Sequence, residues 1–203
     1  MTSKLINVPE NKLDEVLISK LSKSSAAVFI VSFVLESGLK LIIDELTKFI
    51  SRDGNRLIII TSNYLKVTQP KALELLLSLK DLGAEIAVFD SLESNKSFHI
   101  KGYFFEDAKS QSCIVGSSNI SRTAFRSGFE FNAEISDKKF IEAILQQCNS
   151  IVNNPFTKEL TKDFIQEYSL VYEENNNPFT ETKEIIPEPE IVQESSYIEP
   201  NIV

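Results

Sequence analysis

Residues 99–119, HIKGYFFEDAKSQSCIVGSSN, hold the chain's only histidine beside a lysine and a cluster of small polar side chains. Alternate residues of a strand face the same side, ~6.6 Å apart. On a strand over 97–105, His99 and Lys101 therefore project together. The polar stretch EDAKSQ joins this strand to a second at 112–116, so the two form a β-hairpin. Ser117 and Asn119 share a face by the same spacing. A nucleophilic imidazole, a cation and two hydrogen-bonding groups aimed at one point suit a phosphodiester. The ammonium neutralises the non-bridging oxygens, Ser and Asn hold them, and the imidazole attacks phosphorus. A strand at 130–136 puts Glu130, Asn132 and Glu134 on one face, with Phe131, Ala133 and Ile135 on the other. A carboxylate there can orient the imidazole through its second nitrogen. Ser62, Asn63 and Tyr64 follow another strand at its C-terminal end, where ligands collect in α/β sheets. Asn63 is thereby a substrate-binding candidate.

HxK followed by GSSN resembles the phospholipase D-like superfamily, whose motif is HxKx4D with a downstream GSxN. Glu106 stands at the position of the family's Asp, with Asp107 next to it. The wider stretches FHIKGYFF, CIVGSSNISRTAFRSGFEFNAEIS and TSNYLKVTQPKALELL resemble one branch more closely. That branch is the nuclease-like domain at the front of some bacterial superfamily 2 helicases, similar to domains of some restriction endonucleases. The resemblance covers about residues 25–150. It implies an α/β fold with a mixed sheet flanked by helices on both faces. It implies His99 as covalent nucleophile, Lys101, Ser117 and Asn119 as phosphate ligands, and Glu130, eleven residues after Asn119, as the support of His99. Glu134 stands second for that role, and Ser118 and Glu134 join Asn63 as substrate-binding candidates. It also implies DNA as substrate, with RNA left open, and a helicase domain C-terminal to this segment. In the family a second histidine protonates the leaving alkoxide. This chain has one, so the expected active form is a homodimer with its site on a two-fold axis.

The elements that must position these residues are legible from period. Residues 12–22 have helical spacing and AAVFIVSFVL reads as a buried strand. Residues 38–51 return to helical period, and RLIIIT reads as a second strand. A helix over 70–82 opens on Pro70 and closes before Gly83. AEIAVF is a third strand. Helices are also expected over 137–151 and 157–170. Strands alternating with helices imply a sheet that is parallel in its first half and covered on both faces.

Composition narrows the classes. The chain has 203 residues, with 42% hydrophobic and 25% charged, and a net charge of −8. Residues 173–203 carry eight Glu and one Lys, so the preceding 172 are close to neutral. This divides the chain into a nuclease-like domain at 1–172 and an acidic, Pro- and Asn-rich disordered linker or tail at 173–203. Two cysteines, Cys113 and Cys148, exclude a disulfide scaffold and read as core residues. With one His, two Cys and no compact acidic cluster, no metal and no cofactor is expected. No signal peptide or membrane span is found, which suits a cytoplasmic protein with no membrane partner. Two bland readings stand beside the enzyme: Ser117, Ser118 and Asn119 also suit the cap of a helix starting near Ser121. The same motif also suits a module that holds DNA backbone or ends without hydrolysis.

Overall fold

In a computed structural model of the chain, residues 3–173 are described; residues 174–203 of the expected acidic tail lie outside them, while Glu173 ends the last helix. The strands are β1 (Ser3–Val8), β2 (Ala26–Val31), β3 (Arg56–Ser62), β4 (Glu85–Phe89), β5 (Lys101–Glu106), β6 (Gln111–Gly116), β7 (Glu130–Ile135) and β8 (Thr157–Glu159). The helices are α1 (Leu13–Leu21), α2 (Glu36–Leu39), α3 (Ile43–Ile50), α4 (Pro70–Lys80), α5 (Ser91–Ser94), α6 (Arg122–Arg126), α7 (Lys138–Val152) and α8 (Lys162–Glu173). They build one eight-stranded sheet in the order β1-β7-β6-β5-β2-β3-β4-β8. β2, β3 and β4 are parallel, because helical crossovers connect them. Every other pairing is antiparallel, including the β5–β6 hairpin. The fold is the mixed α/β sheet expected from the sequence.

Both faces are covered. Alternate residues Ala27, Phe29 and Val31 of β2, with Tyr103 and Phe105 of β5, enter a large core closed by α1, α3, α4 and α8. Ile30, Phe104 and Cys113 point the other way, onto Ile141 and Cys148 of α7. Phe29 meets Tyr103 and Phe105 edge-on, with centroids 5.1 and 5.7 Å apart. Such contacts add ~1 kcal/mol each beyond burial. They lock β2 against β5, and so set Ser32, just past β2, against Lys101.

The local reading is corrected at several places. β1 was not expected from its sequence; it exists because all six of its residues pair with β7. The helix over 38–51 is broken between α2 and α3. The stretch expected as a helix over 157–170 opens with the edge strand β8. His99 also lies outside the strand expected to carry it. β5 begins at Lys101, although Ser32 N–H still donates to the Ile100 carbonyl at 2.8 Å.

Candidate active site

The C-terminal end of β2 and the N-terminal start of β5 lie together because the two strands are antiparallel. The same logic brings the end of β6 and the start of β7 to this edge. Lys101, Ser117 and Glu130 therefore gather at one end of the sheet, with His99 just beyond it. Their strands are long enough to be rigid, so the side chains arrive pre-positioned.

His99 is exposed, and two rings frame it. Tyr64 meets it edge-on at 4.9 Å and Phe33 at 6.4 Å, while Phe33 and Tyr64 lie parallel. Lys101 Nζ sits 5.8 Å over the Phe33 ring. It donates to the His99 carbonyl at 2.9 Å and to Ser32 Oγ at 3.3 Å. The half-buried ammonium thus has neutral acceptors. Burial pushes its pKa below the ordinary lysine value, and the nearby Glu130 carboxylate opposes that shift. The same carboxylate, after burial, holds the Tyr103 phenol well above its usual value.

The GSSN loop is built into the fold by its own hydrogen bonds. Ser117 Oγ donates to Glu130 and accepts from Phe131 N–H at 3.1 Å. Ser118 points inward and is fully buried. Its hydroxyl donates to the Ala124 carbonyl at 3.3 Å and accepts from Asn132 Nδ2 at 2.9 Å. Asn119 Oδ1 accepts from Phe33 N–H at 3.1 Å, and Leu35 N–H donates to the Ile120 carbonyl at 2.8 Å. The loop is therefore zipped to the segment after β2. Ser121 then caps α6, its hydroxyl accepting from Ala124 N–H at 3.1 Å. Two glycines permit this packing. A Cβ on Gly116 would overlap the Phe131 carbonyl, and one on Gly38 would overlap the Ser121 backbone. Arg126 secures α6 to α1 by gripping the buried Asp14 through Nε at 3.0 Å and a terminal nitrogen at 2.6 Å.

Of the sequence candidates, His99, Lys101, Ser117, Asn119 and Glu130 are brought together. Three others are not placed to touch a ligand there. Glu134 shares a face with Glu130 but lies four residues along β7, ~13 Å away, where it pairs with Lys20. Asn63 is buried and committed: its Nδ2 donates to Asp90 at 2.8 Å, and its Oδ1 accepts from Ser91 N–H at 2.7 Å. Ser118 supports the loop from inside. Glu106, at the family's Asp position, ends β5 at the opposite end of the sheet. Asp107 beside it closes the hairpin by accepting from Lys109 and Ser110 N–H. Ser32 and Phe33 were missed; their only signal was their place at the end of an apolar strand. Tyr64, one residue from Asn63, makes the ring contact.

The arrangement offers an exposed imidazole, a cation and a hydroxyl at one end of the sheet, groups of the kind a phosphate ester needs. The cysteines are elsewhere: burial pushes the thiols of Cys113 and Cys148 up to about 11, so they stay protonated in the core. Among the described residues, no group of three or more His, Cys, Asp or Glu could hold a metal ion. No described helix is long and apolar enough to cross a membrane.

Comparison with solved structures shows this same fold in proteins of low sequence identity. Nuc from Salmonella typhimurium, a phospholipase D family member, aligns with a TM-score of 0.59 at 15% identity, over 78% of this chain and 97% of Nuc. NucT from Helicobacter pylori gives 0.57 at 17% identity, over 78% and 98%. The archaeal chromatin protein TrmBL2, described as showing a novel mode of DNA binding, gives 0.53 at 12%, over 79% and 55%. No curated protein matches by sequence. The family model described as cardiolipin synthase, PLD-like domain, matches residues 17–152. That span runs from within α1 to the end of α7 and includes the whole HxK–GSSN constellation, so the chain belongs to the phospholipase D-like family.

Proposed function

We propose that this chain hydrolyses DNA phosphodiester bonds through a phosphohistidine formed at a homodimeric site. One observation carries the reading: His99, Lys101, Ser117 and Glu130 converge at a single end of the sheet, with His99 open to solvent. In the first step an imidazole nitrogen of His99 bonds to phosphorus and the P–O bond to the leaving alkoxide breaks. A second imidazole donates its proton to that oxygen. In the second step the same imidazole takes a proton from water, the hydroxide attacks phosphorus, and the P–N bond breaks to free His99. Lys101 and the hydroxyl and amide of Ser117 and Asn119 hold the non-bridging oxygens. The charge of Lys101 and the transferred protons stand in for a metal ion in this scheme. Glu130 supports His99 and Lys101 electrostatically.

The second imidazole comes from a second copy, since the chain has one histidine. An apolar patch beside the site suits that partner. Phe129 is 96% exposed, Phe131 71% and Leu5 58%, in and just before the paired strands β1 and β7 at the edge of the sheet. A two-fold contact across this patch would bury it and face the two sites toward each other. DNA is favoured over other diesters by the DNA-binding structural neighbour and by the branch resemblance in the sequence. That branch also suggests a cytoplasmic, restriction-type or helicase-coupled role. ATP-stimulated cleavage after C-terminal fusion of a helicase core would support the coupling, and cleavage indifferent to ATP would reject it.

The test is cleavage of a labelled oligodeoxynucleotide in EDTA, with acid-labile phosphoprotein trapped on the wild type but not on His99→Ala. Cleavage by His99→Ala at the wild-type rate ends the reading. An excess of His99→Ala subunits, exchanged into wild type, is expected to poison activity. A monomer in light scattering that still cleaves removes the dimer. One observation favours a non-hydrolytic backbone-binding module: the exposed Ser117 hydroxyl already donates its proton to Glu130. Tight oligonucleotide binding without any cleavage or phosphoprotein would select it.

A further inference from the structure

Three clefts compete to hold the chain of a polymeric ligand around the site. The first, of about 480 Å³, is lined by Asp90, Glu93, Glu159, Asp163 and Glu167 against the single Lys158, and repels a polyanion. The second, of about 570 Å³, runs along α1 with Lys4, Lys12, Lys20 and Lys23 against Glu10, Glu15 and Glu134; Lys12 and Lys20 are already paired with Glu15 and Glu134, and the cleft includes none of the residues around His99. The third, of about 630 Å³, runs between the turn after β3 and the end of α5. Its walls include Tyr64, Leu65, Lys66, Leu92, Asn95 and Lys96, and no acidic side chain. Glu93, the nearest carboxylate on α5, is drawn to Lys158 in the neighbouring cleft. Tyr64, whose ring touches His99, is the wall shared between this cleft and the active site.

The backbone also sets these side chains outward. Leu65 and Lys66 are consecutive non-glycine residues with φ of 53° and 55°, a conformation such residues rarely adopt. Asn95 on the facing rim has φ of 53°. The turn leaves Leu65 60% exposed at the mouth of the cleft, with the exposed Leu92 opposite. Strained non-glycine positions that expose apolar side chains beside a reactive histidine point to a binding role. Two lysines beside one ring and two aliphatic side chains suit the alternation of phosphate and base along a single strand.

We propose that this cleft binds the single-stranded nucleic acid flanking the scissile phosphate, with Lys66 and Lys96 on successive backbone phosphates and Tyr64, Leu65 and Leu92 against bases or sugars. The proposal rests on the phosphodiesterase reading and adds where the polymer runs. The experiment measures anisotropy of a fluorescent single-stranded oligodeoxynucleotide against salt, with the full chain carrying His99→Ala to prevent cleavage. Adding Lys66→Gln and Lys96→Gln is expected to weaken binding about 25-fold in ~0.1 M salt and to flatten the salt slope by ~1.4, the counterion release of two single-strand phosphates. Lys66→Arg with Lys96→Arg should restore both. A charge-matched control, Lys109→Gln with Lys139→Gln, changes lysines outside the cleft and should leave affinity within about twofold. Affinity that is unchanged in the cleft variant, lost equally in the control, or undetectable before any lysine is changed overturns the proposal. Hydrolysis of bis(4-nitrophenyl) phosphate by the wild type, read separately, tests the phosphodiesterase reading alone, because that substrate has no flanking strand.

Discussion

The two ends of the β6–β7 pair carry the same residue types to different ends. At one, Lys20 of α1 meets Ser112 of β6 at 3.1 Å and Glu134 of β7 in a direct ion pair. At the other, Lys101 stands with Ser117 and Glu130, yet its ammonium bonds only neutral oxygens. In the first trio cation and carboxylate neutralise each other and join a helix to the sheet. In the second the cation is held from β5, two strands away from the carboxylate, with a hydroxyl between. Its charge remains available to an anionic ligand. The presence of Lys, Ser and Glu thus distinguishes nothing; which backbone each grows from decides between a tie and a site.

His99→Ala should break the site end most severely, with kcat for diester hydrolysis down by about 10⁴-fold or more. Lys101→Ala should cost about 10²- to 10³-fold in kcat/KM, the scale of one lost oxyanion partner. Steady-state kinetics on an oligonucleotide reads both. The tie end predicts the reverse: Glu134→Gln should leave kcat within about twofold.

The structural ties are themselves unequal. Arg126→Ala strands the buried Asp14 carboxylate without its partner, and because Arg126 is partly exposed we expect about 2–3 kcal/mol of destabilisation, toward the low end for a broken buried pair. Arg56→Ala, in the exposed pair with Glu85, should cost less than about 0.5 kcal/mol. Urea denaturation monitored by circular dichroism separates them.

The alkaline limb of the pH profile sharpens the comparison. Burial lowers the pKa of Lys101, so its positive charge is lost at lower pH than that of an exposed lysine. Phosphate binding needs the protonated form. KM should therefore rise as pH increases while exposed lysines are still charged. Lys101→Arg should move this limb to higher pH, since guanidinium stays protonated. A KM flat up to the ordinary lysine range would show that Lys101 does not bind the substrate anion. The smallest effect expected is on stability from Glu134→Gln: Lys20 keeps its bond to Ser112, and the partly exposed pair is worth about 1 kcal/mol or less.

Much of this molecule was legible as local pattern. Period-two and period-3.6 hydrophobicity marked β2 to β7 and most helices, since each of those segments buries a face of its own. The HxK and GSSN spacings marked the residues that meet, because a hairpin brings its two ends together whatever surrounds it. What only tertiary structure decided were the choices that local period leaves degenerate. Glu130 and Glu134 have identical parity on β7, and only the antiparallel stacking of β5, β6 and β7 puts one at the end that holds His99 and the other beside α1. Asn63 and Tyr64 share a loop, but the hydrogen bonds of Asp90, Ser91 and Leu92 claim Asn63 and leave the ring of Tyr64 for His99. β1 and β8 are edge strands whose hydrogen bonds come from distant partners, so nothing within their own few residues announces them. Sequence period determines which side a residue faces; position along the strand, and the neighbour found there, is a property of the assembled sheet.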